Sequence, residues 1–179
     1  MLSDAGRWGC ATWGAISGVF ELGFFLITAA LLASPNSLTG GAWAGLGAAI
    51  AELAYLLAMG IWYPDDDQEA RIAAWQRGAR RSAWVRNIFL VERSSASLIH
   101  IGTRMLATLA LISHTIWPLL IALASFTLVD GVATYGVKAK WNWFNPILCR
   151  AFYKFVFLCG LMNFLAVAAL SLSALPGLA

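Results

Sequence analysis

Charge is scarce in this chain, and what exists is crowded into a few places. Asp and Glu number 9 and Lys and Arg 12 in 179 residues, so charged residues make up 12%, where a soluble domain carries about a quarter. That shortage, beside 60% hydrophobic residues and a mean hydropathy of +0.74, excludes a soluble globule. Cysteine is nearly lacking: Cys10, Cys149 and Cys159 show no CxxC spacing, which excludes a zinc ribbon and a disulfide framework. HExxH and GxSxG are both missing, so zincins and serine hydrolases find no support. The net charge of +3 is spread along the chain's membrane-flanking stretches, and no nucleic-acid partner is expected.

What the chain does have is long apolar runs. Five of them, at about 10–33, 42–63, 88–113, 118–137 and 147–171, reach or exceed the ~20 residues that a helix needs to cross a bilayer. The expected fold class is therefore all-α, a polytopic helical bundle in one integral membrane domain over 1–179, with the lipid bilayer as its first partner. Nothing resembles a cleaved signal, because the first run is too long and Glu21 interrupts it.

Lysine and arginine set the expected orientation. Arg7 precedes the first run, Arg71, Arg77, Arg80, Arg81 and Arg86 lie between the second and third, and Lys138, Lys140, Arg150 and Lys154 flank the last connection. Stretches 34–41, 114–117 and 172–179 carry none. The N-terminus is expected in the cytoplasm and the C-terminus on the opposite side. Pro64 should end the second span, and Asp65, Asp66 and Asp67 offer N-cap oxygens to a new helix. That helix, with Ile72, Trp75, Ala79 and Ala83 near one face and arginines around the rest, should lie along the inner leaflet. Trp8, Trp62, Trp75, Trp84, Trp141 and Trp143 read as an aromatic belt on the same side. Small residues at Gly14, Gly18 and Gly23, and at Ala44, Gly47, Ala48 and Ala51, predict close helix packing; Ser34 to Gly41 should form a turn. Asn163 is the only interior polar group of the last span and receives no chemistry.

The stretch 88–113 organises the rest. It is long enough to span, yet it carries Glu92, Arg93, His100 and Arg104, and ionisable groups inside a membrane usually point at a partner or a site. At 100° per residue, Arg93, Ser97, His100 and Arg104 share a stripe about 60° wide. Glu21, Glu52 and His100 should reach mid-bilayer, Asp130 a few Å lower, and Glu92 and Arg93 about 10–12 Å lower, at the cytoplasmic mouth. Four helices bringing ionisable groups to one depth predict a common polar cavity. Arg104 has two readings, a catalytic cation or an ion-pair partner for Glu21, Glu52 or Asp130. Carboxylates, histidine and arginine in a dry cavity suit hydrolysis, a metal site or a proton or ion path.

The segments GAISGVFELGFF, with Glu21, and FLVERSSASLIHIG, with Glu92, Arg93 and His100, resemble the YhfC-like intramembrane metalloprotease family, related in style to the CPBP and PrsW-like membrane proteases. The resemblance covers about 14–25, 88–105 and 122–134. It implies a membrane-embedded protease of a bacterial inner membrane, acting on a membrane-embedded peptide. By it Glu21, Glu92, Arg93, His100 and Asp130 join the catalytic set with Glu52 and Arg104. Glu21, Glu52, His100 and Asp130 would be the ligands of a divalent metal such as zinc. In the family pattern a histidine stands four residues before Asp130; here that position is Phe126. The other expectations are a non-catalytic subunit bound to other membrane proteins and, third, a small carrier.

Overall fold

The computed structural model describes residues 4–32, 34–62 and 68–173. The sequence expectations for Pro64, Asp65, Asp66, Asp67 and 174–179 lie outside them, as do the side chains of Arg7 and Trp62. All regular elements among the described residues are helices: α1 (Asp4–Leu32), α2 (Leu38–Trp62), α3 (Gln68–Ala79), α4 (Ala83–Arg86), α5 (Ile88–Ser113), α6 (Trp117–Lys138) and α7 (Pro146–Ser173). Five of them, α1, α2, α5, α6 and α7, are long and apolar enough to cross a membrane, which makes the chain an integral membrane protein.

Local chemistry sets the helix ends. The Gly40 N–H donates to Ser37 Oγ at 3.2 Å, so Ser37 caps α2. The helix therefore starts before Gly40 and Gly41, which the sequence reading placed in a turn. Ser82 caps α4 through the Trp84 N–H, and Asn145 Oδ1 accepts from the N–H groups of Ile147 (3.0 Å) and Leu148 (3.2 Å) at the start of α7. His114, in the left-handed region at φ 52°, ends α5, and Pro118 opens the first turn of α6.

Packing places α5 at the centre: 61% of its apolar span is buried, against 17% to 22% of the other four. α2 lies antiparallel along one side of it, and α6 and α7 along others; α1 packs mainly on α6. The seams are closed by glycine. A Cβ at Gly14 would stand 2.6 Å from the Gly131 backbone nitrogen of α6, and one at Gly45 would stand 2.6 Å from the His100 carbonyl oxygen of α5. A Cβ at Gly41 would meet the Thr108 side chain and stand 3.1 Å from the Arg104 carbonyl oxygen. Two expectations are corrected. Gly23 and Gly47 have nothing beside them, and Ala44, Ala48 and Ala51 line an opening rather than a seam.

The short helices α3 and α4 gather at the basic end, where Trp75 Nε1 donates to the Val85 carbonyl oxygen at 3.1 Å. Trp141 and Trp143 form edge-on ring contacts with each other, with Tyr135 and with Phe152, so they also pack the connection between α6 and α7.

Candidate functional site

The consecutive spans α1 and α2 form no seam with each other. Between them runs a groove of about 640 Å³, lined by Phe20, Glu21, Phe24, Phe25 and Thr28 from α1, by Ala44, Ala48, Ala51, Glu52 and Tyr55 from α2, and by Arg104 from α5 behind them. Phe20, Phe24 and Tyr55 are exposed, so the groove opens sideways, where lipid would lie. The alanines keep it wide; larger side chains at those three positions would fill it.

Gly45 seats α2 against α5 two turns before Glu52, which brings the Glu52 carboxylate to the α5 stripe. His100 Nε2 lies 2.9 Å from Glu52 Oε2, and Arg93 Nη1 lies 3.7 Å from the same oxygen. His100 faces a carboxylate through Nε2, so that nitrogen carries the proton in the pair. Its Nδ1 is buried without a hydrogen-bond partner, and the ring meets Phe126 edge-on at 5.5 Å. Arg93 Nη2 also donates to Glu92 Oε1 at 2.7 Å. A chain of ionisable groups therefore runs Glu92, Arg93, Glu52, His100, and Glu92 itself lines a second cavity at the basic end.

Arg104 is 3% exposed and donates through Nη2 to Glu21 Oε2 and through Nη1 to Thr103 Oγ1 at 3.3 Å. Its guanidinium carbon lies 5.3 Å from the centre of the Phe126 ring, a cation–π contact. Of the carboxylates open to it, Arg104 pairs with Glu21, and its remaining N–H donors stay free among the described residues. Phe126 thus stands under both His100 and Arg104.

The seven candidate residues do not all converge. Glu21, Glu52, His100 and Arg104 surround the groove and its inner wall, with Arg93 bridging to Glu92 below. Asp130 accepts a hydrogen bond from Ser17 Oγ at 2.5 Å and lines a different cavity of about 490 Å³ with Trp13 and Lys138. Ser17 precedes Glu21 by one turn, so Asp130 lies about 6 Å nearer the basic end. The expected metal set of Glu21, Glu52, His100 and Asp130 does not fit. Its members are divided among Arg104, each other and Ser17, and no group of three or more His, Cys, Asp or Glu among the described residues could hold an ion. Phe126 fills the space beside His100 from which α6 would have to supply a ligand.

Sequence reasoning missed Ser17, a small polar residue in an apolar run with no periodic signal. It missed the Phe20, Phe24 and Tyr55 rims as well, because aromatics in a span read as lipid-facing. Asn163, given no chemistry, is 1% exposed and donates to Ser125 Oγ at 3.0 Å, joining α7 to α6.

Fold and site define a class: an all-helical integral membrane protein with five candidate spans and a polar central helix behind a lateral groove. No protein-family model, curated protein or solved structure matches the chain.

Proposed function

We propose that the chain is a membrane-embedded hydrolase of the glutamic type, cleaving an apolar peptide segment that enters the α1–α2 groove from the side. The observation that carries the reading is the Glu52–His100 pair on a lateral groove that also holds Arg104 and Glu21. Both contacts of Glu52 go to Oε2, which leaves Oε1 available as a base. Glu52 takes a proton from water, and the water oxygen adds to the substrate's carbonyl carbon. Arg104 has five N–H donors, of which two are engaged, and the others hold the charge that develops on the carbonyl oxygen. As the carbon–nitrogen bond breaks, the proton passes from Glu52 to the leaving amine. His100 fixes the carboxylate in place. Glu21 positions Arg104, and Arg93 positions Glu52; Asp130 has no step. The basic end faces the cytoplasm of a bacterial inner membrane in this reading, following the distribution of Lys and Arg.

The test uses proteoliposomes with a panel of fluorophore–quencher peptides carrying apolar cores of about 20 residues. Cleavage should incorporate one oxygen from labelled water, and Glu52→Gln should lower the rate a hundredfold or more, the usual scale for a general base. A Glu52→Gln protein that cleaves as fast as the parent, or a panel left intact, overturns the reading.

A second reading has its own support. Each charge lining the groove already has a partner, which suits an accessory subunit whose groove receives a helix of another membrane protein. A stoichiometric complex on mild purification, with the isolated chain inert on the panel, would favour that subunit.

A further inference from the structure

At the basic end lies a cavity that the groove chemistry does not use. It measures about 170 Å³ and is lined by Arg77, Gly78 and Arg81 from the α3 side and by Asn142, Phe144 and Asn145 from the connection before α7. Taking about 30 Å³ per water, this is room for a phosphate-sized group. The wall is built by close approach: a Cβ at Gly78 would collide with the Phe144 carbonyl oxygen and stand 2.9 Å from Val85 Cγ1. The Trp75–Val85 hydrogen bond fixes α3 in the same place.

Every polar side chain of the lining is left as a donor. Asn142 Oδ1 accepts from the Phe144 N–H at 3.1 Å and Asn145 Oδ1 caps α7, so each asparagine keeps its amide N–H₂ for another acceptor. Arg77 and Arg81 have no carboxylate partner among the described residues, and no acidic residue lines the cavity. The start of α7 adds its positive dipole end. The contrast with the spans is sharp, since Arg93 and Arg104 are both paired there. Two guanidiniums and two amides around a small space suit tetrahedral phosphate oxygens.

A neighbouring cavity of about 1020 Å³ shares Ala74, Asn142 and Phe144 with this one, and is walled mainly by aromatic side chains such as Trp143 and Phe152, with Arg71, Glu92 and Lys140 among the rest of its lining. A polar chamber the size of a phosphate that adjoins a large, mostly apolar one at the end of the spans matches one molecule that is phosphate at one end and hydrocarbon at the other. We propose that Arg77, Arg81, Asn142 and Asn145 form a binding site for the phosphate of an anionic phospholipid whose glycerol and first acyl segment occupy the larger cavity. The site is independent of the hydrolase reading.

The test places the full chain in nanodiscs of phosphatidylcholine alone or with phosphatidylglycerol, and follows thermal unfolding and lipid retained in native mass spectrometry. Phosphatidylglycerol should raise the midpoint and remain bound as one molecule per chain. The double variant Arg77→Gln/Arg81→Gln should weaken retention about tenfold or more, the scale of one lost charge-assisted bond. The charge-matched Arg80→Gln/Arg86→Gln, on residues that do not line the cavity, should leave retention unchanged. A photoactivatable phosphatidylglycerol on the parent chain should label α3 and the stretch 141–145, which keeps the test valid if a variant misfolds. Equal loss from both double variants would reduce the effect to diffuse surface charge and overturn the site. Equal protection by inorganic phosphate would make it a soluble-anion site, and equal protection by phosphatidylcholine alone would make it a general lipid cleft. Either result overturns the proposal.

Discussion

Two helix pairs in this bundle are closed down to backbone contact, α1 on α6 and α2 on α5, while the consecutive pair α1 and α2 stands open. Each of the three faces has small residues on at least one of its helices. The difference lies in what the opposite helix offers. Gly14 meets the backbone at Gly131, and Gly45 meets the α5 backbone at His100 and Ile101, so each glycine lets two main chains touch. Ala44, Ala48 and Ala51 face the phenylalanines of α1 across a gap. Small residues close a seam where the opposite backbone comes up to them, and otherwise leave room. Here the room lies beside the only carboxylates in the first two spans, Glu21 and Glu52.

The largest effect should come from filling the closed seams. Gly14→Leu and Gly45→Leu each require backbone to move and should destabilise the protein by more than about 3 kcal/mol, while Gly47→Leu and Ala48→Leu stay within about 0.5 kcal/mol. Unfolding in mixed micelles measures this directly. If Ala48→Leu were as damaging as Gly45→Leu, the groove would be closed in solution and the contrast would be gone.

Next in size is the ion pair that ties α1 to α5 across the back of the groove. Removing Arg104 leaves the Glu21 carboxylate without its partner. For a fully buried pair that loss is about 3–5 kcal/mol; the Glu21 side chain is 41% exposed, so Arg104→Ala belongs at or below the lower end. The double variant Arg104→Met/Glu21→Gln should recover most of it, since both charges are then gone. A double variant as unstable as Arg104→Ala would mean that Arg104 contributes through Phe126 and Thr103 instead.

Blocking the open seam should alter function rather than stability. Ala48→Phe places a ring between α1 and α2, and should lower turnover of the peptide panel at least about tenfold with little change in the unfolding midpoint. Unchanged turnover would move the substrate path away from the groove.

The spans were legible in the sequence because a bilayer forces each backbone group to pair within its own helix, which demands one long apolar run per crossing. The α5 stripe was legible because 100° steps place Arg93, His100 and Arg104 together without knowledge of any neighbour. Rotation of the other helices was not. Depth along the chain can be counted, but Glu21 and Asp130 needed the azimuth of α1, and that is set by Gly14 and Gly18 pressing on α6. The outcome gives Ser17 to Asp130 and Glu21 to Arg104. The start of α2 was misplaced because Gly40 and Gly41 read as turn residues; in the fold Gly41 is packed against Thr108.

The smallest effect belongs to a third seam, α6 against α7, where one hydrogen bond stands in for glycine contact. Asn163 donates to Ser125 at 3.0 Å, and its Cβ fits under Gly102 of α5. Hydrogen bonds between membrane helices average about 0.6 kcal/mol and reach about 1.7, because the separated helices find other partners in the bilayer. Ser125→Ala should therefore lower stability by about 0.6–1 kcal/mol, the upper part reflecting the buried amide left without its acceptor. Asn163→Ala loses packing under Gly102 as well and should be the worse of the two. A double-mutant cycle separates the terms, with an expected coupling near 0.6 kcal/mol. A coupling of zero would mean that α6 and α7 are held by shape alone. One above about 2 kcal/mol would make this bond comparable to the Glu21–Arg104 pair.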